Sequence, residues 1–408
     1  MMKSRYLWLL FFGGYLFAQG PATLHFYDLA RWVEKSPEYQ VLTLNRGLTG
    51  AQRGVAMAWA SPYLSYTAET LGGQSESIAF INQTVPLPWH RGPLRRSWKQ
   101  RIQAADLRLD TGIYFIHSRL RLGFVSLALA REALAITVAL QASGQQLKAA
   151  SKARREEGGS SKVDEALILW THSQLQGLAQ RRAVLVRQIE SDLRLLTGLS
   201  PTEELSLETP VSYASIELPS LLEATGIWEK GAVSQAWKHD LAAAEMALQA
   251  AKVGAFSALS VQGGTKTAEG AAQGLVLGLS IPLPLLGQSR ANKRLRQSEL
   301  NLIKIGHESY LRESQSGLRQ LYQTISDLDF LLSQTRPQSE DDKSLVALQS
   351  AYGEGWLSLP DYLTALQIRA ATVETYYRQL SDYYDAIFTL ENLTGVRFLT
   401  FSEAKEEN

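Results

Sequence analysis

Ala351-Tyr352-Gly353-Glu354-Gly355-Trp356-Leu357-Ser358-Leu359-Pro360-Asp361-Tyr362-Leu363 is the stretch whose reading decides the fold. Its skeleton, Gly355-x-x-Ser358-x-x-Asp361, repeats Gly158-x-x-Ser161-x-x-Asp164 at an offset of 197 residues. Leu196-Thr197-Gly198 returns as Leu393-Thr394-Gly395 at the same offset. Val85-Pro86-Leu87-Pro88 returns as Ile281-Pro282-Leu283-Pro284, 196 residues on. Three kinds of match in one order at nearly one spacing mark an internal duplication. The expected organisation is an export signal at 1–18, a first repeat at 22–200, a linker at 201–219, a second repeat at 220–396 and a tail at 397–408.

Both halves share a layout. A helical segment, about Phe26 to Ala60, leads to strand-like segments near Tyr63–Thr70 and Ser77–Leu87, split by Gly72-Gly73. A very long helix follows, about Pro93 to Glu157, then a glycine turn and a last helix ending before Gly198, a good left-handed stop. The second half repeats this: a helix near Leu222–Val253, strands near Phe256–Gln262 and Leu275–Leu283, and a long helix from about Ser289. A turn at Gly353–Gly355 and a helix to Leu393 complete it. Pro337 and Glu340-Asp341-Asp342 predict a break in the second long helix. About 65 residues of helix span roughly 100 Å, the length of the two shorter helices end to end. The expectation is a long rod or tube with strands at one pole and glycine turns at the other.

The long helix carries Trp98, Ile102, Ala105, Leu109, Ile113, Ile116, Leu120, Phe124 and Leu127 in an 11-residue rhythm, a nearly straight stripe. Leu122, Val125, Leu129, Ile136 and Leu140 form a second stripe, so the helix has neighbours on both flanks, as in a ring or an ordinary bundle. Among the strands, Leu275, Leu277, Leu279 and Ile281 alternate cleanly; Ile78, Phe80, Asn82 and Thr84 share a face less cleanly. Strands of 9–11 residues cross a bilayer, but four cannot close a barrel, and open edges do not occur in lipid. Either several chains share one barrel, or a small soluble sheet caps the rod.

Composition narrows the function. The 408 residues hold 41 Lys plus Arg against 40 Asp plus Glu, which gives no reason to expect nucleic acid. The absence of cysteine excludes disulfides, thiolate metal sites, a Cys nucleophile and a lipidated N-terminal Cys. Lys3, Arg5, the apolar run Tyr6–Phe17 and Ala18 read as an export signal. No later stretch holds 18 uninterrupted apolar residues, so no helical span is expected. His307-Glu308 lacks the second His of a zincin, Lys266 does not complete a P-loop, and the six histidines have no ligand spacing. No enzyme activity, cofactor or metal site is expected.

This plan resembles the TolC-type outer-membrane efflux proteins over nearly all of the chain. Ala351-Tyr352-x-x-Gly355-x-x-Ser358-Leu359-x-Asp361 is similar to the family's second periplasmic turn, and Ile281-Pro282-Leu283-Pro284 with Gly287 to its strand-to-helix exit. The resemblance implies a mainly α fold with a small β part. Three chains would form a twelve-stranded barrel in the outer membrane and a twelve-helix tube through the periplasm. It implies partners: a periplasmic adaptor and an inner-membrane pump or secretion transporter. By the same resemblance Asp361 lies at the constricted inner entrance, where three copies repel and favour cations. Asp164 is its repeat mate, and Thr364 stands where a second acidic residue would follow. Capping is the other reading: Ser161 and Ser358 as N-caps, with Asp164 and Asp361 completing boxes. Gly158, Ser161, Gly355 and Ser358 would form the tips that meet the adaptor, unless the glycines serve turn geometry alone. A soluble periplasmic adaptor or scaffold with helical hairpins remains the alternative; a hydrolase on a helical scaffold ranks last.

Overall fold

A computed structural model describes residues 22–26, 29–71, 74–156, 161–209, 211–268, 270, 273–282, 287–335 and 341–399. The expected export signal, Gly158, Gly72-Gly73, Leu283-Pro284, Pro337 and most of the tail lie outside these residues.

The first repeat opens with a short strand, β1 (Ala22–Leu24), and a single helical turn, α1 (Ala30–Val33). Helix α2 (Pro37–Met57) follows. The single helix expected from Phe26 is thus divided. Ser36 is extended and its Oγ accepts from the Glu38 amide, while Pro37 fills the first helical position, so a new helix starts there. Strands β2 (Tyr63–Leu71) and β3 (Gln74–Pro86) form a hairpin. Helix α3 (Pro88–Glu156) runs 69 residues, about 100 Å. It starts five residues before the expected Pro93, because Pro88 suits a first turn that needs no proline N–H. Helix α4 (Lys162–Thr197) returns and stops at Gly198, whose φ of +69° is the left-handed cap the sequence predicts.

The segment 201–219 is more than a connector. Strand β4 (Leu205–Leu207) pairs in parallel with β1, Leu24 opposite Leu207. Tyr384 Oη donates to the Ser212 carbonyl and Tyr322 Oη to that of Pro219, which fastens the rest to the helices.

The second repeat begins with α5 (Leu221–Lys230) and α6 (Ala232–Lys252), one expected helix broken at Gly231. A Cβ at Gly231 would press on the Trp228 carbonyl at 3.0 Å. Strands β5 (Ala258–Ala268) and β6 (Gly274–Ser280) follow, then α7 (Gln288–Thr335), α8 (Asp341–Gly353) and α9 (Leu359–Thr394). Helix α7 is described to Thr335 and α8 from Asp341, and the predicted break at Pro337 falls between them, outside the described residues. Strand β5 runs six residues past its expected end. Gly263-Gly264 reads as a stop in sequence, but Gly264 belongs in the strand: a Cβ there would lie 2.0 Å from the Ala79 carbonyl oxygen.

The four long strands form one antiparallel sheet in the order β2-β3-β5-β6. The helices below keep the same order, with α2 on α3, α3 on α6 and α6 on α7. The core lies partway along the rod. There Leu24, Phe26 and Leu29 meet Ile116, Leu120 and Phe124 of α3 and Tyr383, Ile387 and Phe388 of α9. The later half of the predicted α3 stripe is therefore core. Its earlier half, Trp98 to Ile113, is only half-buried. By length and composition α3 passes for a membrane span, contrary to the expectation of none. It packs against α2, α4, α6 and α9, as a core helix does.

Candidate channel entrance and membrane-facing sheet

The two ends of the rod carry different chemistry. At the turn end, Ser161 caps α4. Its Oγ accepts from the Asp164 amide at 3.1 Å, and Asp164 Oδ2 accepts from the Ser161 amide at 3.2 Å, a complete reciprocal box. In α9, Ser358 Oγ accepts from the Asp361 amide at 3.3 Å and donates to Asp361 Oδ2 at 2.5 Å. The second carboxylate thus holds the capping hydroxyl rather than the cap's own amide. Both aspartates stand in first turns, where the helix dipole favours negative charge. Asp361 is exposed, and Thr364, one turn on, is also exposed with its hydroxyl turned back to the Pro360 carbonyl.

Gly355 has φ of +84°, and a Cβ added there would touch nothing within 4 Å. Backbone conformation, not crowding, calls for glycine at this point. The Trp356 and Leu357 amides both donate to the Ala351 carbonyl, closing the turn. Tyr352 stacks on Tyr362 with ring centroids 5.1 Å apart and joins α8 to α9. Leu140, Leu147, Ile168, Tyr362 and Leu366 pack the two hairpins together. Trp356, 83% exposed, projects from this turn and was not singled out from the sequence. Its only signal there is a large aromatic among turn residues.

At the other pole the register decides which side chains share a face. Leu64 pairs with Ile81, Ile81 with Gly263, and Gly263 with Leu277. One face therefore carries Leu64, Tyr66, Ile81, Val261, Leu275, Leu277 and Leu279, and Leu277 is 76% exposed. The other carries Asn82, Gln262, Thr84 and Ser260, and a Glu76–Lys266 ion pair at 2.6 Å. The register bears out the shared face read from the sequence of β3 and shows which side of the sheet it joins. Ile78 and Phe80 lie on the polar face with Asn82 and Thr84, opposite the face of Leu275, Leu277 and Leu279. The apolar contribution of β3 comes from Ala79, Ile81 and Val85.

Between the poles, Arg121 and Glu391 form a buried ion pair. Glu391 Oε1 also accepts from the Phe398 and Leu399 amides at 2.6 and 2.9 Å, and Arg121 donates to the Leu399 carbonyl. The residues after α9 are thereby tied to the core. His117 lies beside this network, 3.2 Å from Arg397. Burial, then the charges of Arg397 and Arg121, pull its pKa down to about 4. Burial and Glu391 push the Tyr114 hydroxyl up to about 12. Among the described residues no cluster of His, Asp or Glu is arranged to hold a metal ion.

This architecture recurs in solved structures. A membrane protein from Pseudomonas aeruginosa matches with a TM-score of 0.76 at 16% identity, over 91% of this chain and 90% of that one. The Campylobacter jejuni CmeC outer membrane channel matches at 0.73 and 12% identity, over 91% and 86%. The open state of the Neisseria gonorrhoeae MtrE outer membrane channel matches at 0.67 and 15%, over 90% and 88%. The chain has the fold of the TolC-type outer-membrane channels. No protein-family model matches the sequence, nor does any curated protein.

Proposed function

We propose that the chain is the outer-membrane duct of a tripartite efflux or type I secretion system, a passive conduit and not an enzyme. The observation that carries this reading is the sheet: four strands, one apolar exposed face, and two open edges, β2 and β6, at the pole of a long helical rod. An open edge in lipid leaves backbone groups without partners, so the sheet requires more strands. Three copies joined β2 to β6 give twelve strands and a closed barrel, apolar outside and polar inside.

The helices support the same seam. Helix α2 exposes Val41, Leu44, Leu48 and Val55, and α7 exposes Leu295, Leu302 and Ile305. Each set follows helical spacing, on the helix nearest a free strand edge. In the trimer the α2 stripe of one copy covers the α7 stripe of the next.

At the far end, Asp361 and Asp164 surround the entrance, and the tips bearing Gly158, Ser161, Gly355 and Ser358 meet a periplasmic adaptor coupled to an inner-membrane pump or transporter. A bulky residue at Gly355 abolishes export with the trimer intact; equal loss of trimer would assign Gly355 to folding alone. The deciding experiment is membrane fractionation, mild detergent extraction and native mass. A trimer that requires detergent supports the duct. A soluble monomer refutes it and leaves the periplasmic scaffold.

A further inference from the structure

Charge is evenly balanced along the chain as a whole but not around the rod. The four segments just beneath the sheet are 47–60, 86–105, 246–258 and 287–298. Together they hold eleven Arg and Lys and no Asp or Glu. The end of α2, the start of α3, the end of α6 and the start of α7 bring them to one level. Arg95, Arg96 and Lys99 of α3 and Arg290, Lys293 and Arg294 of α7 are exposed, without ion-pair partners among the described residues. Of the neighbouring acids, Asp106 is paired with Arg46, Asp240 with Arg108 and Glu299 with Arg296, while Glu245, one residue before the α6 segment, is exposed and has no ion-pair partner among the described residues.

Their direction follows from the helices. On α3, Arg96 and Lys99 lie 18 residues before Tyr114 and His117, about five whole helical turns, and Arg121 follows His117 by four, so these residues share a stripe. That stripe receives the segment after α9, through Arg121 and the Leu399 carbonyl. On α7, Lys293 and Arg290 share the side of Tyr322 and Asp329, which receive the linker through Pro219 and Tyr213. On the duct reading these segments lie outside, because a bore that they filled could not conduct. The free cations therefore face outward, below the apolar face of the sheet. Between sheet and collar stand the half-exposed Trp59, Trp89 and Phe256. Trp89 Nε1 donates to the Phe256 carbonyl at 2.7 Å, and the Arg91 guanidinium lies over Trp59. Aromatic rings at this level suit a bilayer interface.

We propose that this collar docks on the phosphate headgroups of the leaflet facing the helices, with preference for lipids of net negative charge. It lies one to three helical turns below the last strand residue, about 5–16 Å, within reach of headgroups for long side chains that snorkel. Anionic leaflets attract such clusters in a salt-dependent way. The proposal rests on the duct reading.

The test uses the detergent-extracted full chain and a variant with Arg95, Arg96, Lys99, Lys293 and Arg294 each replaced by Gln. Thermal unfolding is followed as phosphatidylglycerol or phosphatidylcholine is added, at low and high salt. The wild type should gain more Tm from phosphatidylglycerol, and the excess should vanish at high salt and in the variant. The variant's lipid-free Tm and trimer mass should be unchanged. Equal response to both lipids, or an undiminished preference in the variant, overturns the collar and leaves the duct standing. A variant with intact lipid preference but altered ion selectivity in a planar bilayer would place these cations in the bore instead. A chain soluble without detergent sinks both readings, by a separate readout.

Discussion

Helices α4 and α9 hold the same place in the two repeats, and each is 36 residues long. Each begins at a capping serine with an aspartate three residues on, and each stops at a left-handed glycine, Gly198 or Gly395. Their burial differs: fifteen buried residues in α9 against ten in α4. The gap comes from the C-terminal half. Tyr383, Tyr384, Ile387, Phe388 and Glu391 of α9 are buried, where the repeat counterparts in α4 are Val186, Arg187, Glu190, Ser191 and Arg194. Only Val186 of that set is buried. The duplication preserved the ends of the helix, which fix its length and direction. It released the C-terminal half short of the stop glycine, where α9 became the post against which the linker, α7 and the segment after α9 pack. The largest expected effects therefore lie in α9, and their α4 counterparts supply the control.

Glu391→Ala leaves Arg121 buried and unpaired and frees the Phe398 and Leu399 amides. Breaking such a pair costs about 3–5 kcal/mol. Arg194→Ala, at the matching position, removes only a partly exposed contact with Glu190 and the Glu203 carbonyl, for about 1 kcal/mol or less. Denaturant unfolding of the two variants measures the contrast directly. Equal losses would mean that the buried pair adds no more than a surface one and that the asymmetry between repeats has no energetic content.

The same region sets an acid limit. His117 is held at about 4, below its ordinary value of 6.5, so the folded chain binds fewer protons than the unfolded one between those values. Its contribution is complete above about pH 6.5 and is lost as pH falls toward 4, in total about 3 kcal/mol. Carboxylates titrate in part of the same window, so the signal is the difference between the wild type and His117→Gln. Unfolding free energies that fall in parallel for both proteins from pH 7 to 4 would refute the assignment.

A smaller difference separates the caps. Asp164 completes its box through the Ser161 amide, whereas Asp361 engages only the Ser358 hydroxyl. Replacing either serine by alanine costs about 1 kcal/mol. Asp164→Ala should cost about 0.5 kcal/mol more than Asp361→Ala, because it also strips a backbone donor of its acceptor. Hydrogen exchange in the first turns of α4 and α9 reads this locally, and faster exchange in the Asp361 variant would reverse the order.

What the sequence disclosed follows from the range of each interaction. The caps, the stop glycines and the long helix are set by residues within a few positions of one another, and the duplication made each visible twice. The Arg121–Glu391 pair joins residues 270 apart, and three-residue strands such as β1 and β4 give no periodicity to detect. Which side of the sheet the Ile78–Thr84 face of β3 joins is hidden in the sequence for a related reason. Ile78 and Phe80 are apolar, and only pairing with Lys266 and Gly264 shows that they lie on the polar side. The basic collar is likewise scattered over four segments that only the fold assembles.

Asp361→Asn tests whether the difference between the two aspartates extends beyond capping. An asparagine oxygen still accepts from the Ser358 hydroxyl, and the amide that Ser358 caps belongs to the backbone, so stability should change by no more than about 0.5 kcal/mol. In the proposed trimer the substitution removes three negative charges from one narrow ring, and charge rings of this kind set which ions pass. Single-channel reversal potentials across a salt gradient should therefore shift away from cations. Asp164→Asn, on the less exposed side of the same tip, should shift them less. If both variants conduct as the wild type does, the two aspartates serve the helix ends alone and the entrance is lined by other residues.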